Sequence, residues 1–214
     1  MRRRGLLDQS GFMLIEALTA LFLLGVLFAL FSSLASEVTT RDTTLMQQSY
    51  LAEQARPTLD GMTNELQGAM CDDTTNPATQ PITTASATSI TFTTPDHLQP
   101  FHLRRISYTL QNGTLMRQLT TTTNTGAAPW TWGTPQVSSP AVQSVTNTAV
   151  FHYYDSSGND LDPSGTPIAL ATTLQQIARV TMTLTVSPVS THGNAETLTA
   201  QESATLRTPW TADC

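Results

Sequence analysis

The stretch from Phe12 to Phe31 constrains this chain more than any other. It is twenty residues long, and only Glu16 and Thr19 in it are plainly polar. Twenty helical residues extend roughly 30 Å, the thickness of a bilayer's hydrocarbon core. A glycine, Gly11, stands directly before the run, and Glu16 lies near its start. A bare carboxylate inside such a helix costs roughly 3 kcal/mol, so Glu16 is expected to be a functional group that has a partner.

Three readings compete for this stretch. The N-terminus is Met1-Arg2-Arg3-Arg4, followed by Asp8. A basic cluster before an apolar run stays in the cytoplasm, which places everything after Phe31 outside. A secretory signal peptide is the first reading, with Ser33-Leu34-Ala35 as a small-x-small cleavage site. Its apolar core would be long for that role and would carry an acid. An uncleaved signal anchor accounts for the length but not for Glu16. Neither accounts for the glycine before the first apolar residue.

The third reading rests on a resemblance. Gly11-Phe12-Met13-Leu14-Ile15-Glu16-Ala17-Leu18 resembles the signature of type IV pilins and type II secretion pseudopilins. That signature is a short basic leader ending in glycine, then an aromatic first mature residue, with glutamate as the fifth. The resemblance implies that a prepilin peptidase cuts between Gly11 and Phe12 on the cytoplasmic side and methylates the new amine of Phe12. It also implies an assembly role for Glu16. Cleavage leaves a cation at the edge of the apolar zone, and Glu16 of one subunit can pair with that amine on a neighbour. The buried charge is then satisfied only in the assembly.

Composition agrees with a chain working outside the cytosol. There are 39 threonines and no lysine, and only 12% of the residues are charged. Threonine is β-branched and polar, which suits strands with one wet face. The net charge of −6 argues against a general nucleic-acid surface, because phosphate binding needs clustered cations. The two cysteines, Cys71 and Cys214, fit no C-x-x-C or Cys/His pattern. They are read either as one disulfide tying the C-terminus to the start of the globular part, or as two unpaired thiols. A bridge closing so long a loop would gain about 5 kcal/mol in the chain-entropy view.

Beyond the apolar run, the residues from Ser32 to Ala69 still read as helix. Leu45, Ala52, Ala55, Leu59, Met62, Leu66 and Ala69 recur at spacings of three, four and seven, making one apolar stripe. Pro57 predicts a kink or local break. A continuous helix from Phe12 to Met70 would be about 88 Å long. Residues 71 to 87 read as a loop. Strands are then expected at Ser89 to Thr93, Arg105 to Leu110, Thr114 to Leu119, Val145 to Tyr154, Ala178 to Val186 and Thr197 to Arg207. Asn112-Gly113 predicts a tight hairpin turn, because both residues tolerate positive φ. Asn124 to Pro140 reads as a long loop holding Trp130 and Trp132. The expected fold class is α+β: a long N-terminal helix, transmembrane then amphipathic, packed by its stripe on an antiparallel β-sheet head, as in pilins. The expected division is a leader at 1–11, a transmembrane part at 12–35, an amphipathic helix at 36–70 and a β-rich head at 71–214.

The order of the later pieces is similar to J-type minor pseudopilins and W-type minor pilins. The similarity is carried by Gln54-Ala55-Arg56 through Met62-Thr63-Asn64-Glu65-Leu66, and by Ile106-Ser107-Tyr108 with Asn112-Gly113-Thr114-Leu115-Met116-Arg117. Val150-Phe151-His152-Tyr153-Tyr154-Asp155 with Gly158, Ile177-Ala178-Arg179-Val180 and Leu206-Arg207 continue it. This favours a minor subunit.

Several other groups are candidates for chemistry. Asp155, Asn159, Asp160 and Asp162 surround Gly158 and offer hard oxygen ligands suited to calcium, although such residues are also what turns are made of. His97 and His102 lie near Asp96; His152 and His192 are scattered. Arg104, Arg105 and Arg117 could form a basic spot for DNA or an acidic partner, or a solvated strand face. Trp130 and Trp132 could be a contact site or a cover for the end of the sheet. No G-x-S-x-G, H-E-x-x-H or phosphate-loop pattern is present, and the chain is not read as an enzyme or as needing a cofactor. The expected function is that of a minor pilin or pseudopilin in the inner membrane, with its C-terminus outside the cytoplasm. Its partners would be other pilins, a prepilin peptidase and an assembly platform. The alternative is a signal-anchored extracytoplasmic adhesin or ligand-binding domain that forms no filament.

Overall fold

In the computed structural model, the described residues are 9–72, 80–96, 100, 102–125, 129–163, 165–187 and 197–206. Among the described residues the architecture is α+β: one long helix, eight strands in two antiparallel sheets, and one short helix. The chain divides into two compact units, residues 1–47 and 48–214.

The long helix, α1, runs Gln9–Gln67. In the first unit its segment Leu14–Ala35 is long and apolar enough to cross a membrane, and the large apolar side chains there are exposed. Thr19 turns its hydroxyl back onto the helix, donating to the Glu16 carbonyl at 2.9 Å. A polar side chain in an apolar stretch is satisfied this way without a partner from outside.

In the second unit the last turns of α1 are amphipathic. Ala55, Leu59, Met62 and Leu66 are fully buried, and Ala69 just past the helix end is nearly so. Their spacings of four, three and four hold one stripe on one side of the helix. Leu45 and Ala52, read from the sequence as part of the same stripe, have side chains outside the described residues. The helix runs through Pro57 without ending. Proline removes only one i→i−4 donor there, and the neighbouring Thr58 hydroxyl donates to the Gln54 carbonyl at 2.9 Å. After Gln67, Gly68 lets the chain pass close to the sheet: a Cβ on it would stand 3.2 Å from the Thr94 hydroxyl.

The first sheet is a meander of β1 (Ile82–Ser86), β2 (Ser89–Pro95), β3 (Leu103–Gln111), β4 (Thr114–Thr121) and β5 (Ser139–Val142), each antiparallel to the next. The second is β6 (Phe151–Tyr154), β7 (Arg179–Val186) and β8 (Leu198–Thr205), and a short helix α2 (Ala171–Leu174) precedes β7. Strand alternation puts Ile90, Phe92, Ile106, Tyr108 and Leu115 on one face of the first sheet. Val180, Met182, Leu184 and Val186 do the same in the second. These side chains and Leu59, Met62 and Leu66 of α1 make one buried cluster. The opposite faces carry paired hydroxyls, Thr91 with Ser107 at 3.0 Å and Thr181 with Ser203 at 3.0 Å. Abundant threonine thus gives each sheet a wet side.

Asn112 and Gly113 form the two-residue turn between β3 and β4, with φ of 48° and 71°. Three strand expectations need correction. β1 lies inside the stretch read as a loop; it is short, and a register irregularity between Ile82 and Thr84 breaks the alternation that would have marked it. β5 lies at the end of the proline-rich stretch, where Pro140 is accommodated in an edge strand. The strand expected from Val145 to Tyr154 is only Phe151–Tyr154. Asn147 takes over the pairing before it: its side-chain carbonyl accepts from Thr185 N at 2.8 Å and its amide donates to Thr183 O at 2.9 Å and to Ala149 O.

Candidate functional site

Glu16 lies on the exposed apolar part of α1, and among the described residues no cation pairs with it. Gly11 and Phe12 are within the span of the same helix, although their side chains lie outside the described residues. Phe12 and Glu16 are four residues apart, so they share one helix face about 6 Å apart along the axis. That face places the expected amine and the carboxylate one turn from each other. A carboxylate exposed in a stretch of this hydropathy is costly unless a cation reaches it.

The head gathers polar groups between helix and sheet. Glu65, next to Leu66 on α1, meets β3 and β4 where the Asn112-Gly113 turn sets Tyr108 opposite Arg117. Arg117 Nη2 donates to Glu65 Oε1 at 2.7 Å, Tyr108 Oη donates to Glu65 Oε2 at 2.9 Å, and Arg117 Nε donates to Tyr108 Oη at 3.1 Å. Burial pushes the Tyr108 hydroxyl far above its ordinary pKa, and the Glu65 charge adds to this. Burial alone would lower the Arg117 pKa, but the Glu65 carboxylate and the Tyr108 hydroxyl together outweigh it and the guanidinium is held above its usual value. This cluster binds the helix to the sheet. It was not foreseen as a unit, although the Asn-Gly turn fixes the register that places Tyr108 across from Arg117.

The expected basic spot is dispersed. Arg105 bonds Asp72 at 2.9 Å and lies under the Trp132 ring, 4.0 Å from its centroid. Arg104 donates to the Pro95 carbonyl at 3.0 Å. With Arg117 on Glu65, each cation has a partner within the fold. Trp132 is half-buried and bridges back to Thr122, so it covers this end of the sheet; Trp130 is half-buried as well.

The acidic segment is organised as a turn. The Asp155 carboxylate accepts from the amides of Ser157 and Asn159 and from the Asn159 side chain, each at 2.8 Å, and Gly158 takes φ 86°. These bonds, the Asn159 side chain first, hold Asp155 below the ordinary carboxylate range. Asp160 accepts from the Asp162 amide at 2.8 Å. Asp162 is buried, and neither carboxylate oxygen has a hydrogen-bond partner among the described residues. Burial, then the Asp160 charge, push its pKa up, against the opposing charge of His152. Among the described residues, no group of three or more His, Cys, Asp or Glu side chains could hold a metal.

His102 donates from Nδ1 to the Thr122 carbonyl at 3.1 Å, and its backbone amide bonds Asp96 at 3.2 Å, so both act in loop structure. His97 and His192 lie outside the described residues, and His152 is half-buried on β6. Cys71 is buried and is not free. Its expected partner, Cys214, lies outside the described residues, so the bridge between them stands as a proposal.

Compared with known proteins, the chain matches no family model, and no curated protein matches it.

Proposed function

We propose that this chain is a minor pilin or pseudopilin: a precursor cut between Gly11 and Phe12, held in a membrane by residues 12–35, and drawn into a filament by side-by-side packing of its helix. The reading is carried by Glu16, an acid exposed in a membrane-length helix and without a cation among the described residues. A neighbour's Phe12 amine is a partner of the right sign at the right end of that helix. Setting one copy a turn along from the next brings the amine of one to the carboxylate of the other. The α+β head packed on the last turns of the same helix is compatible with this family's architecture. Other pilins, a prepilin peptidase and an inner-membrane assembly platform are the partners. A Cys71–Cys214 bridge would tie the C-terminus to the start of the head.

Mass analysis of the N-terminus tests the reading. A mature chain starting at methylated Phe12 is expected; one starting at Met1 or Ser36 overturns it in favour of an anchor or a secreted domain. Glu16→Val tests the pairing. The variant should still be cleaved but enter filaments at less than about a tenth of the normal level, as loss of a charge pair in lipid requires. Normal incorporation would sink the pairing role.

A further inference from the structure

The head has an open strand edge beside a cleft, and its other edges are blocked. The edge of β1 carries a register irregularity, and that of β5 carries Pro140 and a register shift beside it. At β6, the preceding chain donates from Val150 N and Phe151 N to the Ala87 carbonyl, and Tyr154 bridges to Asp160. Irregularities, prolines and covering chain are how sheets prevent new strands from adding. β8 has none of these: it pairs with β7 without a break from Val186↔Leu198 to Arg179↔Thr205, contains no Pro or Lys, and has no other strand paired to it among the described residues.

That edge borders a cleft of about 330 Å³ between residues 56–60 of α1 and β8, all within the second unit. Its strand wall is formed by five consecutive residues, 198–202. Successive side chains of a strand point to opposite faces, so a cleft lined by five in a row runs along the strand's edge, where the backbone groups are. The helix wall supplies Arg56, Leu59 and Asp60. Leu198 and Ala200, both half-buried, give the accessible apolar part of the lining, whereas Leu59 is fully buried. Asp60, Glu202 and Arg56 give two negative charges and one positive, and none of them is ion-paired among the described residues.

We propose that the free edge of β8 and helix residues 56–60 form a docking site for an extended segment of a partner chain whose helix-facing side chains, at every second residue, are one basic and two apolar. The backbone of such a segment adds as a fourth strand. Leu198, Ala200 and Glu202 lie two apart and share one face of β8, so on that face the segment's apolar side chains lie beside Leu198 and Ala200 and its cation beside Glu202 and Asp60. The site does not depend on whether the chain assembles into filaments.

The probe is an acetylated, amidated eight-residue peptide, Thr-Arg-Thr-Val-Thr-Val-Thr-Thr, which added antiparallel to β8 sets its arginine and valines on one face; it is titrated by fluorescence anisotropy against the full chain in detergent micelles. Saturable binding is expected, with amide hydrogen-exchange protection gained in residues 198–205. Methylating alternate peptide nitrogens should weaken binding about tenfold, because it removes the backbone donors. Asp60→Asn and Glu202→Gln, both on exposed side chains, should each weaken it about threefold. Equal binding of the methylated peptide overturns the proposal. So does protection in β8 that is already present before peptide is added, since another segment of this chain would then hold the edge. The peptide comparison uses the unaltered protein, so it decides the matter even if a variant folds poorly.

Discussion

Arg117 and Glu65 are 52 residues apart in sequence, yet they meet at 2.7 Å, and the Tyr108 hydroxyl closes a three-way contact with both. One residue comes from α1, one from β3 and one from β4, so the contact sets how the helix lies against the sheet within the head. Glu65→Ala leaves a part-buried guanidinium and hydroxyl without their acceptor. It should lower the stability of the head by about 1–3 kcal/mol, measured by urea unfolding of the full chain in detergent. Arg117→Met alone should cost a similar amount. The double variant should cost clearly less than the sum of the two, because either change removes the same contact. Additive losses would show that the contact contributes nothing.

Asp162 gives the head an unusual pH response. A carboxyl whose folded pKa lies above its unfolded one stabilises the fold below the unfolded value, near 3.8 here, and that contribution is lost as pH rises through the folded value. Asp162→Asn should therefore be more stable than the parent at neutral pH and lose its advantage under acid. Thermal melts of the two proteins across this range check it. A constant difference at every pH would mean that folding leaves the pKa of this carboxyl unchanged.

Asp155 responds in the opposite sense. Its lowered pKa contributes stability above the unfolded value, also 3.8, which is lost as pH falls through the folded value. Titration of the Asp155 carboxyl by NMR should find its midpoint below that of an unfolded-chain aspartate. In Asn159→Ala, which removes one of its donors, the midpoint should move back up. If it does not move, the side-chain bond is not the cause.

Gly113 holds φ 71°, and a Cβ there would stand 3.2 Å from the Val145 carbonyl. Gly113→Ala should cost about 1–3 kcal/mol from backbone strain. Asn112→Gly should be close to neutral, since glycine adopts the same conformation freely. Paired chemical-denaturation curves separate the two.

Leu66 is fully buried where α1 meets the sheet, so Leu66→Ala should destabilise the head by about 2–5 kcal/mol. Leu21, 70% exposed on the apolar part of α1, is the comparison: Leu21→Ala should leave the unfolding of the head unchanged.

Periodicity made much of this fold readable. The stripe from Ala55 to Ala69, the alternation of β7 and the Asn112-Gly113 turn are local patterns set by helix and strand repeats. What was hidden depends on tertiary context. β1 is short, and its irregular register erases the period of two. β5 contains a proline that is acceptable only because the strand is an edge. Asn147 ends a strand early by supplying side-chain bonds in place of backbone ones, and nothing in its neighbourhood marks it apart from any loop asparagine. Of the candidate sites, Glu16 and its glycine were legible because they interrupt a simple pattern. The partners of Arg105 and Arg117 were not, because Asp72 and Glu65 reach them only once the helix has been laid on the sheet.

The meander of the first sheet bears on how the head comes into being. Each of its strands pairs with the one just before it, so no pairing waits for a distant part of the chain, and the loops to be closed are mostly short. Synthesis runs from the N-terminus, so α1 and the first five strands can associate before β6 to β8 have been made. The later sheet then arrives at a surface already formed by Ala85, Ala87 and their neighbours. β8 comes last of all, and it is left as the outermost strand.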